Sequence, residues 1–137
     1  MNPDLIFLPV IAQVLLVVIL YLALSKAKVK STEEGTVDET RRGLYDDAWP
    51  ESVLKINNCI RNNFELPVLF YVLAMVLWAL NYVNWITLML AWAFVGSRYM
   101  HAYVHTGSNF VPLRRSIFKV STVIVIALSV CALIAVM

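Results

Sequence analysis

The sequence predicts an all-α integral membrane protein, a four-helix bundle with its polar chemistry collected at one end. Three observations lead there. Hydrophobic residues make up 61% of the 137-residue chain and charged residues only 15%, a mix too apolar for a fully water-facing surface. The apolar residues fall into long runs, and Leu5 to Leu24 or Phe118 to Val136 each suffices to cross a hydrocarbon core of about 30 Å. All eleven Lys and Arg residues lie between Lys26 and Lys119, in or beside the first and third connections, and none lies near either end. The net charge of +2, without a basic stripe interleaved with aromatics, excludes nucleic acid as a partner.

Leu5 to Leu24 is the first span. Asp4, not a basic region, precedes it, and no small-residue cleavage site stands before Ser25, so it reads as a retained helix and not a signal peptide. The connection from about Ser25 to Pro50 mixes Glu33, Glu34, Asp38 and Glu39 with Arg41, Arg42, Asp46 and Asp47 and lacks apolar periodicity. It is expected to be a cytoplasmic loop folded over the mouth of the bundle.

Ser52 onward reads as helix again. The clean apolar stretch Leu66 to Leu80 is too short to span, so the second crossing, about 61–80, must begin near Arg61 and draw Arg61, Asn62, Asn63 and Glu65 into the membrane edge. The third span, about 85–104, encloses Arg98 and His101, and the fourth covers 118–136. The whole chain, 1–137, is thus one transmembrane domain. The uncharged turn Asn81-Tyr82-Val83-Asn84 and both termini are expected to face outward, with the basic connections in the cytoplasm. Trp49, Trp85, Tyr82 and Tyr103 are expected at the interfaces, and Trp78 and Trp92 deeper in the packing.

Charged groups within a span are costly and usually face the bundle interior with a partner. Asn58, Arg61, Asn62 and Glu65 fall at spacings of three and four on the second helix, forming one polar stripe. Arg98, His101 and His105 do the same on the third. Glu65 lies fifteen residues before Leu80 and Arg98 thirteen after Trp85, which puts both at about 20 Å from the turn and predicts a Glu65–Arg98 pair. Pro67 removes a backbone donor and leaves the Asn63 carbonyl without its intrahelical partner, so a kink is expected there. Arg114 and Arg115 follow Pro112; one reads as a positive-inside anchor and the other as free to point inward. Cys59 and Cys131 read as free, buried thiols toward opposite membrane faces. No metal is expected: His101 and His105 share one helix, and no cysteine or acidic ligand is expected near them.

The runs RNNFELPVLFYVL from Arg61 and SRYMHAYVHTGSNFVPLRRSIF from Ser97 resemble the MAPEG superfamily, the membrane-associated proteins of eicosanoid and glutathione metabolism, and its bacterial branch above all. The resemblance covers almost the whole chain. It implies a homotrimer of four-helix subunits in a bacterial inner membrane, termini toward the periplasm, with glutathione as co-substrate bound between subunits near the cytoplasmic face. The family's glutathione-binding arginine, asparagine and glutamate fall on Arg61, Asn62 and Glu65, its third-helix arginine and histidine on Arg98 and His101, and its thiolate-stabilising arginine on Arg114. Asn58, His105 and Phe118 stand where the eicosanoid enzymes carry an arginine and two tyrosines. Asn58 and His105 lie on the polar stripes and are counted with the glutathione-binding set.

The function this implies is a glutathione-dependent transferase or peroxidase acting on lipophilic electrophiles delivered through membrane lipid. A non-catalytic lipid- or ligand-binding protein is the alternative, favoured by the missing tyrosines. A small proton-coupled exporter is the third; the lone Gln13 on the first helix, the absence of inverted repeats and the charge bias weigh against it.

Overall fold

The computed structural model describes all 137 residues, and they form five α-helices and no strand. They are α1 (Phe7–Glu33), α2 (Glu51–Asn63), α3 (Leu66–Ala79), α4 (Trp85–Thr106) and α5 (Val111–Val136). Because α2 and α3 are successive halves of one broken rod, the architecture is a four-helix bundle. Three rods, Pro3–Glu33, Glu51–Ala79 and Val111–Val136, are long and apolar enough to cross a membrane. The 22 residues of α4 have the length, about 33 Å at 1.5 Å per residue, but Arg98, His101 and His105 dilute its apolarity.

The surface has the pattern expected in lipid. Leu8, Ile11, Leu15, Val18 and Leu22 of α1, Leu69 and Val72 of α3, and Val123, Ile126 and Leu133 of α5 all point away from the bundle. An apolar skin on this scale is stable only against hydrocarbon. Inside, Phe70 of α3 stacks on Phe94 of α4 with ring centroids 4.5 Å apart, and Leu77, Ala91, Leu128 and Ala132 close the core around them. Trp78 does not pack inward as the sequence suggested: it sits at the rim, partly exposed, donating from Nε1 to Asp4 at 2.9 Å. Trp92 is likewise exposed on the outside of α4.

Helix α1 runs nine residues further than its apolar span, so the polar connection is shorter than the sequence suggested. Ser25 to Glu33 contains Ala and Lys, good helix formers, and hydropathy alone does not register such a stretch as helix. Gly35 ends it with φ +66°, while the Thr36 amide donates to Ser31 and the Gly35 amide to Thr32, a Schellman arrangement that needs a left-handed residue. The segment from Val37 to Pro50 is folded on itself. Asp38 and Ala48 close it through the backbone, Arg41 grips Asp47 at 2.9 Å, and Trp49 lies under Lys28 of α1.

The expected kink is a full break. Helix α2 stops at Asn63, and α3 restarts at Leu66 with Pro67 in its first turn, where a missing amide is harmless. The turn between α3 and α4 is set by Asn81 at φ +53° and by Asn84. The Asn84 side chain accepts from the Ile86 and Thr87 amides while Thr87 answers with its hydroxyl, a capping box built without charge.

Candidate functional site

Where α2 breaks, polar side chains converge instead of apolar ones. Asn63 is buried and holds two helices: it accepts from Gln13 Nε2 of α1 at 3.0 Å and donates to the Cys59 carbonyl at 2.8 Å. Sequence reasoning placed Asn63 at the membrane edge but gave it no role. Its face of α2 differs from that of Asn58, Arg61, Asn62 and Glu65, which open on a cavity of about 400 Å³. His101 and His105 of α4 and Arg114, Arg115 and Phe118 of α5 complete the wall, so eight of its nine lining residues are polar or charged. Both arginines at the start of α5 line it.

Arg98 stands behind this wall. It is 0% exposed and does not line the cavity. Its Nη2 donates to Asn62 Oδ1, and its guanidinium carbon lies 5.9 Å from the centre of the Phe118 ring. The predicted Glu65–Arg98 ion pair is absent. Glu65 sits in the break and is exposed, and Asn62 stands between the two, giving its oxygen to Arg98 and its amide to Glu65 Oε2 at 3.4 Å. Glu65 and Arg98 do approach the same residue, but Glu65 follows the end of α2 and meets Arg98 only through the Asn62 side-chain amide. The other two nitrogens of Arg98, Nε and Nη1, have no protein partner, nor does Nδ1 of His101 or of His105. Buried donors and acceptors are almost always satisfied, so these groups are ones that water or a ligand can meet.

Arg61 turns toward solvent, where Asp46 of the folded connection pairs with it. Asp46 therefore occupies the guanidinium at the cavity mouth, a role invisible in its sequence neighbourhood. Arg114 is positioned from the turn before α5: its Nη1 donates to Asn109 Oδ1 at 2.6 Å, and Asn109 itself adopts φ +52° with its amide on the Val104 carbonyl. The α4 end is held by Lys55 Nζ on the Gly107 carbonyl at 3.5 Å.

One expectation about this site is corrected outright. A cysteine does fall near the histidines: Cys59, one turn before Asn63, brings its sulfur and the two imidazoles within 4.8 Å of one another, all three buried. The sequence conceals this because Cys59 and His101 lie 42 positions apart and meet only through the packing of α2 on α4. Both cysteines are free thiols.

Among curated proteins and solved structures there is no match to this chain. The model of the MAPEG family does match, over residues 6–134, a range that holds α1 to α4, all but the last two residues of α5, and every cavity residue described above. The chain is an integral membrane protein and belongs to the MAPEG family.

Proposed function

We propose that the cavity binds glutathione and activates its thiol toward lipophilic electrophiles or hydroperoxides that arrive through the bilayer. One observation carries this reading: a polar cavity with three arginines and one glutamate, set into a bundle whose exposed α1, α3 and α5 faces are largely apolar. Glutathione offers two carboxylates, an ammonium and a thiol. Arg61 and Arg115 suit the carboxylates, since guanidinium forks hold them bidentately, and Glu65 suits the ammonium. Asn58, Asn62, His101 and His105 supply further polar contacts. Arg98 acts from behind by fixing Asn62. Arg114, held by Asn109, is placed to stabilise a thiolate; an ordinary thiol has a pKa of about 8.5, and an adjacent cation raises the fraction ionised at neutral pH.

We further propose a homotrimer. Phe64 and Glu65, at the break in the second rod, are exposed on the single chain, and a carboxylate at a membrane edge is better met by a protein neighbour. Positive-inside bias favours the cavity end facing the cytoplasm. Calorimetric titration of the detergent-purified protein with glutathione tests the binding reading; absence of heat together with absence of thermal protection contradicts it. A binding protein without turnover is the second reading, favoured by Phe118, which presents no hydroxyl to the cavity.

A further inference from the structure

The Cys59, His101 and His105 cluster has no part in the glutathione reading that a neutral hydrogen-bonding wall would not fill, yet its geometry is specific. His101 and His105 are four residues apart on one face of α4, their rings edge to face at 5.4 Å. Cys59 approaches from α2, so the trio is held by two different rods. All three side chains are buried, and Nδ1 of each ring is buried without a hydrogen-bond partner. Both histidines also line the cavity, which gives the cluster an entrance from water.

We propose that Cys59, His101 and His105 form a binding site for a single monovalent thiophilic metal ion, copper(I) by chemical class. One thiolate and two imidazoles form a soft-to-borderline set that excludes magnesium and calcium and leaves copper(I) and zinc(II) as candidates. Charge decides between them. Arg114 lines the same cavity as the two rings, and Arg98, buried one turn before His101 on α4, stands behind it. A thiolate with a monovalent ion is neutral beside these guanidiniums, whereas a zinc ion leaves a net positive charge facing them. Three protein ligands complete a trigonal copper(I) site, while zinc takes a fourth ligand that only water from the cavity could supply here. Metal bonds of about 2.0–2.3 Å set ligand atoms about 3.5 Å apart, so the trio closes by about 1 Å on binding. The Cys59 proton leaves to solvent through the cavity as the sulfur takes the metal. No oxidation state changes.

The test needs no glutathione and no turnover. Full-length protein, purified in detergent under anaerobic reducing conditions, is titrated with copper(I) presented by a coloured chelator, and metal transfer is read from loss of the chelator colour. The expected result is one ion per chain, with X-ray absorption of the loaded wild type reporting one sulfur and two nitrogens. Cys59→Ser, close in size to the native residue, is expected to weaken binding at least a hundredfold, and Cys131→Ser to change nothing. Copper uptake equal in wild type and Cys59→Ser, or an absorption spectrum without sulfur, overturns the proposal. Zinc binding in preference to copper(I), measured with a zinc indicator on the same preparation, overturns the monovalent assignment. Since the spectroscopic arm uses wild type, a Cys59 variant that misfolds does not obscure the answer.

Discussion

Toward the α3–α4 turn the bundle is closed by Phe70 on Phe94 with Leu77, Ala91 and Leu128 around them; toward the other end the same rods are joined by Gln13 on Asn63, Ser97 on Ser121 at 2.7 Å and Arg98 on Asn62. The five buried side-chain atoms that lack a partner, on Gln13, Arg98, His101 and His105, belong to the second region. An apolar core completes itself. A polar one retains unmet bonds, and in a membrane protein such groups are tolerated where a ligand or water meets them. The difference separates a region built to hold helices together from a region built to hold something else.

The largest expected effect lies at Arg114. Under the glutathione reading, Arg114→Ala lowers conjugation to a chlorodinitrobenzene by about ten- to a thousand-fold, the scale of losing one electrostatic donor. Thermal stability stays close to wild type, because Arg114 lies at the cavity and not in the core. Full retained turnover would reduce Arg114 to an anchor.

Arg98 sharpens the comparison from the other side. Arg98→Ala leaves a hole behind Asn62 and is expected to cost about 2–5 kcal/mol in thermal or denaturant unfolding, as for other large buried side chains. Arg98→Met fills the hole and removes a buried charge that has no direct carboxylate partner, so the empty protein should be as stable as wild type or more so. Its glutathione affinity should nevertheless fall. A large stability loss in Arg98→Met would mean that the guanidinium holds the fold itself and does more than position Asn62 at the cavity.

Asn109 combines a backbone duty with a side-chain duty, and two variants separate them. Asn109→Ala forces a left-handed φ on a residue that dislikes it, at about 1–2 kcal/mol. Asn109→Gly accepts the turn but releases Arg114, so stability is kept while turnover falls. Smaller still is the effect of Asp46→Asn, which frees Arg61 from its ion pair and should tighten glutathione binding severalfold. Unchanged affinity would show that Asp46 does not compete for that guanidinium. The mildest effect is on the folded connection. The hydroxyl of Thr40 on Asp38 holds that carboxyl below its usual range, so its contribution to the 38–48 turn is present above the unfolded carboxylate pKa. It is lost as pH falls through the lower folded value. Faster amide exchange confined to that turn at acid pH would show it.

How much of this was legible in the sequence differs between the same two regions. Apolar runs announce helices whatever packs against them, and spacings of three and four gathered Asn58, Arg61, Asn62 and Glu65, then His101 and His105, before any contact was known. What periodicity does not carry is rotation and register between rods. It therefore paired Glu65 directly with Arg98, missed Asn62 between them, and left Cys59 away from the histidines. The sequence predicts a connection folded over the mouth, but not which residue makes the contact, Asp46 on Arg61, nor that α1 continues past Leu24 through Lys26, Lys28 and Lys30 to Glu33.

The proposed function depends on glutathione binding to the charged cavity wall of Arg61, Arg114, Arg115 and Glu65, and isothermal titration of the purified protein with reduced glutathione tests that binding most directly. The account predicts saturable heat in wild type, weakened at least tenfold in both Arg61→Ala and Glu65→Gln, and unchanged in Phe70→Leu in the apolar core. Equal heats in all four proteins, or none in a wild type that remains folded, would contradict it.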